Sequence, residues 1–89
     1  MPSISMFYGL VIYMYVFDDQ KHNVPHIHVK YQGEFSVISL PDGDVLAGNL
    51  PTKKLNLVKA WMTIHEEDLL ADWDLAVNGE LPHKLEPLK

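Results

Sequence analysis

The chain predicts an α+β domain, with an antiparallel sheet of three or four strands followed by two C-terminal helices packed on one face. Three observations carry this expectation. Up to Gly48 the apolar residues alternate with a period of two, or run unbroken between turn signals, as strands require. From Pro51 the period becomes helical. No helical stretch separates the strands, so the crossover that a parallel sheet needs is missing.

The first strand is expected from about Ser5 to Phe17, with Gly9 marking a bulge or bend. Leu10, Ile12, Met14 and Val16 then share one face, and Tyr13, Tyr15 and Phe17 the other. The apolar run from Ile4 is shorter than the ~20 residues of a membrane-crossing helix. It is rich in the β-branched and aromatic types that strands favour, and it has no basic leader or cleavage site of a signal peptide. Asp18 to Asn23 form a polar loop that ends at Pro25, and a second strand follows over His26 to Tyr31. Gln32-Gly33-Glu34 is a turn signal, after which Phe35, Val37 and Leu40 open a third strand. Pro41-Asp42-Gly43-Asp44 reads as a tight turn into a short fourth strand, Asp44 to Gly48, hairpinned with the third.

Thr52 is expected to cap a helix that carries Leu57, Val58, Trp61, Ile64 and His65 on one stripe. Leu69, Leu70, Trp73, Ala76 and Val77 form a second stripe aimed about 120° away. One straight helix cannot bury both stripes. A break is therefore expected near His65-Glu66-Glu67-Asp68, whose acids suit the positive end of a new helix. Asn78-Gly79 stops that helix, and the tail from Leu81, holding Pro82, His83 and Pro87, is expected to be extended.

With 89 residues the chain is expected to form one domain over residues 1–89, built on one core. It has no cysteine, which excludes disulfides, thiolate catalysis and thiolate zinc sites and fits a reducing cytoplasm. The net charge is −5, and all seven basic residues are lysines. A chain without arginine lacks the planar fork that grips phosphate, which weighs against unspecific nucleic-acid binding.

Chemistry-bearing residues concentrate in His22-Asn23-Val24-Pro25-His26-Ile27-His28, which holds three of the five histidines. Pro25 biases the chain into extended geometry, so His26, His28 and Lys30 should leave the second strand on one face. As acid and base, His26 and His28 could divide the work of cleaving an RNA phosphodiester, with Lys30 stabilising charge on the phosphate. As a metal site, His22, His26 and His28 would give three imidazoles to a divalent ion such as zinc. Asp18 or Asp19 would then complete the site or orient an imidazole. In the plainer alternative the strand histidines bond locally and pack on Tyr13 or Tyr15. His65 is expected to pack at the helix break and donate one hydrogen bond to a backbone or acid group, with a role in the site across the sheet as the alternative, and Trp61 and Trp73 to lie in the core.

Several segments match one pattern in order: Pro2 to Gly9, His22 to Val29, Gly43 to Gly48, Leu57 to Trp61, His65 to Trp73 and Leu85 to Leu88. Together they resemble the small bacterial family of domain of unknown function 4160. The resemblance implies a toxin–antitoxin setting, since members are often encoded beside another small protein. In that setting this chain would be the toxin, His26 and His28 its leading active-site residues, and the neighbour its antitoxin-like partner. Relatives commonly carry proline at the position of Val24 and arginine at that of Tyr13, so a cation that could meet phosphate is replaced here.

Three expectations follow: a toxin-like component acting on RNA, a non-catalytic protein-binding module, or a small metal-binding protein. A cleft at His26 would favour the first or third, and a flat apolar patch with Tyr13 and Tyr15 the second. A protein partner is expected in the first two cases and no membrane in any. An exposed edge strand would also allow a homodimer.

Overall fold

The fold is seen in a computed structural model, which describes residues 3–16 and 24–89. Its five strands are β1 (Ser3–Phe7), β2 (Leu10–Tyr13), β3 (His26–Tyr31), β4 (Glu34–Ser39) and β5 (Val45–Ala47). Helices α1 (Thr52–Ile64) and α2 (Glu66–Val77) follow. The strands lie side by side in chain order, each antiparallel to the next. The expected α+β class holds, and no described helix is long and apolar enough to cross a membrane.

The extra strand comes from the long apolar run near the start, which is a hairpin rather than one strand. Tyr8 and Gly9 sit between paired Phe7 and Leu10, both with positive φ (50° and 79°). Gln32 and Gly33 repeat this between Tyr31 and Glu34, at 50° and 82°. Two positive φ values in a two-residue loop twist the chain in the sense that antiparallel strands need. At Tyr8 this means an aromatic residue in a conformation that side chains disfavour, and its carbonyl accepts a hydrogen bond from Lys54 Nζ (3.0 Å). That contact ties the first turn to the start of α1.

One face of the sheet makes the core. Leu10, Ile12 and Met14 are buried there, as the alternation predicts, with Ile27 and Val29 of β3 and Ile38 of β4. They form one cluster with Val58, Trp61 and Met62 of α1 and Leu69 and Ala76 of α2. Each such side chain taken fully out of water contributes about 1.5–3 kcal/mol. Trp61 is completely enclosed, 5.5 Å from the Phe7 ring, and donates its indole N–H to the Glu86 carbonyl at 2.8 Å. The tail is thereby held against the core, and Leu85 N–H bonds Ile4 O (2.8 Å) on the outer strand β1.

The helices break at His65, as expected, but Ile64 and Val77, expected on the buried stripes, are largely exposed, and Met62 is buried on α1 instead. Thr52 is the first helical residue rather than the cap; Pro51 stands before it, and its carbonyl accepts the Leu55 N–H. Glu66, Glu67 and Asp68 fill the first turn of α2. At the other end Gly79 N–H bonds Ala76 O and Glu80 N–H bonds Leu75 O, the paired closure of a Schellman motif.

Gly48, just after β5, has φ +89°, and a Cβ there would stand 2.5 Å from Phe35 O and 2.7 Å from Ser36 Cα. These are backbone or near-backbone atoms that cannot swing aside. Gly48→Ala should therefore cost about 2–4 kcal/mol in urea unfolding, with the loss centred on the β4–β5 pairing.

Candidate functional site

The sheet register decides which side chains can meet. On the face away from the core, one row across the strands is Met6, Val11, Lys30 and Phe35. The next is Ser3, Tyr13, His28, Val37 and Ala47, and beyond it His26 pairs with Ser39. His26, His28 and Lys30 thus share a face because Ile27 and Val29 are committed to the core.

The two histidines are brought together but covered. Their rings are 5.1 Å apart and steeply inclined at 67°. His26 is 1% exposed and lies 5.0 Å from the Trp73 ring of α2. His28 is 5% exposed, stacked on Tyr15 at 4.0 Å with the planes 13° apart. The His26 Nδ1–H donates to Val24 O at 2.8 Å. A carbonyl only accepts, so Nδ1 must carry the proton, and in the neutral ring the lone pair lies on Nε2. A depression of about 170 Å³ between Met14–Val16, just after β2, the end of α2 and the tail is not lined by either imidazole.

Lys30 differs. It is half-buried and holds its ammonium 5.7 Å from the Phe35 ring centroid. Phe35 in turn lies 5.9 Å from Tyr13. Met6 is 67% exposed and Phe35 41%, so this end of the face is open and largely apolar. Among the described residues no helix lies over it. The sequence marks Phe35 as the opening of a strand and Met6 and Val11 only as members of a strand-forming run, with nothing to place the three in one row. Their partnership depends on register, which follows from the unforeseen hairpin.

His22, Asp18 and Asp19 lie outside the described residues, and so does Phe17. Among the described residues no three His, Asp or Glu side chains are grouped to hold a metal ion. His65 sits at the helix break, 5.4 Å from the Trp61 ring, with Nδ1 3.8 Å from Asp68 Oδ2. His83 contributes a backbone N–H to Asp72 Oδ1 at 3.0 Å. Asp72 is buried on α2, and its Oδ2 finds no hydrogen-bond donor among the described residues. Burial raises the pKa of this carboxyl, against the smaller pull of the His83 N–H.

Residues 9–74 match the family described as Domain of unknown function (DUF4160), and the chain belongs to that family. No match was found among curated proteins or among solved structures.

Two outcomes follow from the geometry. His26→Ala removes an enclosed ring and its hydrogen bond and should cost about 2–3 kcal/mol, so any functional loss must be read beside an unfolding curve. Asp72 has a raised pKa in the folded state, so its contribution is fullest below the unfolded value and is lost as pH rises through the folded one. Asp72→Asn keeps an acceptor for the His83 N–H and removes the buried charge. Urea unfolding should show the variant more stable than the parent at pH 7, with the difference shrinking toward pH 4.

Proposed function

We propose that this member of the family is a protein-binding module that holds a small protein partner on the open half of its sheet. The observation behind this reading is the row Met6, Val11, Lys30 and Phe35, which leaves apolar and aromatic side chains in water. Exposed apolar surface of this kind marks docking sites in soluble domains. The covered histidines favour the same reading, since an imidazole closed in by aromatic rings offers little room for a polymeric substrate. In the toxin–antitoxin setting implied by the family resemblance, the partner is the antitoxin-like neighbour.

A second reading is RNA cleavage by His26 and His28 with Lys30. It is favoured by the two imidazoles lying 5.1 Å apart on one face of β3. It requires Tyr15 or Trp73 to move so that substrate can reach the rings.

The two are separated by expressing the tagged chain in cells that carry its own gene neighbourhood. Under the binding reading, a small protein co-purifies with the parent and with His26→Gln but is lost from Phe35→Asp. The affinity for that protein should fall about tenfold or more. Stability should change by less than about 1 kcal/mol, because Phe35 is partly exposed. Retention of the partner by Phe35→Asp would overturn the binding face. Growth arrest by the parent, abolished in a folded His26→Gln, His28→Gln variant and accompanied by cut RNA, would instead establish the cleavage reading.

A further inference from the structure

We infer that the occupant of the open face is a different protein that presents an apolar patch with a carboxylate near its centre, and that this carboxylate meets Lys30. The inference rests on the reading that this face docks a protein, and it names the chemistry of that partner. Lys30 occupies the middle of the row, with Val11 on one side and Phe35 on the other. Its ammonium faces the Phe35 ring and has no carboxylate within ion-pair distance among the described residues. Glu34, the nearest acid along β4, pairs with Tyr31 and so belongs to the opposite face. The next row, Ser3, Tyr13, His28, Val37 and Ala47, holds no carboxylate.

Covering this surface with apolar groups alone would strip water from an ammonium and leave only the ring to compensate it. An arriving carboxylate removes that penalty and fixes the register of the partner. A second copy of this chain is the wrong occupant. In a two-fold dimer the same patch meets itself, bringing two Lys30 rows together with no acid on either to answer them. A nucleic acid could stack bases on Tyr13 and Phe35. A single lysine in a chain of net charge −5 supplies little of the phosphate neutralisation on which such binding depends.

The test is a two-dimensional amide NMR titration of the full chain with four probes: 3-phenylpropionate, 3-phenylpropylamine, 3-phenylpropanol and hexauridylate. The carboxylate should move the amides of Val11, Tyr13, Lys30 and Phe35 and bind about 2- to 5-fold more tightly than the amine. Lys30→Met should level the two, and Lys30→Glu should reverse their order. Equal shifts on this face from all three phenyl probes would overturn the carboxylate while leaving the docking face in place. No shift there from any of them would overturn the docking face as well. Tighter binding of hexauridylate at these residues would make the surface a nucleic-acid platform. A dimer in sedimentation that Phe35→Asp dissociates would make the occupant a second copy.

Discussion

Everything distinctive about this molecule depends on the alternation of β3. A strand has two faces, and Ile27 and Val29 assign one of them to the core. His26, His28 and Lys30 have no choice but to share the other. The helices reinforce the assignment, because Trp61, Val58 and Leu69 fill the space above the isoleucine–valine side. A slip of one residue would place two imidazoles and an ammonium in that core, so the burial that fixes the register also presents the polar set.

The presented face is not uniform, and its division bears on chemistry. Near the start of β3 the imidazoles are closed in by Tyr15 and Trp73. Near its end Lys30 stands among Val11, Phe35 and Met6, with much of that surface exposed. Histidines chosen for proton transfer need contact with substrate, whereas a lysine on an apolar sheet needs only an anion to approach. The hydrogen bond from His26 to Val24 O has a second consequence. It joins the first side chain of β3 to the backbone leading into the strand, so the tautomer of the ring and the path of the chain are set together.

Much of this was legible in the sequence, and for identifiable reasons. The parity of Leu10, Ile12 and Met14 could be read because a half-committed strand writes its two faces directly into the alternation. The break at His65 followed from two stripes that no single helix can bury. The hairpin at Tyr8-Gly9 was hidden because tyrosine is not a residue that signals a positive φ, and only the glycine gave a hint. Missing that turn concealed the pairing of Met6 with Val11, and with it one edge of the open row. The helical spacing of Trp73 puts it in the core. Its contact with His26 brings α2 to the first residue of β3, a meeting between elements that periodicity within either one cannot supply.

The edges of the sheet narrow where a partner can sit. On the β1 side the tail is bonded to Ile4 through Leu85 and to Trp61 through Glu86, so the backbone there already has company. On the β5 side the strand is only Val45–Ala47, with a register shift against β4 and Gly48 pressed on the backbone of Phe35 and Ser36. A short, irregular edge is a poor template for adding another strand. The β5 edge is thus the poorer template for an added strand, and the core face is filled by helices. On the proposed docking reading, a partner would meet the side chains of the open face, with specificity set by shape and by the Lys30 charge.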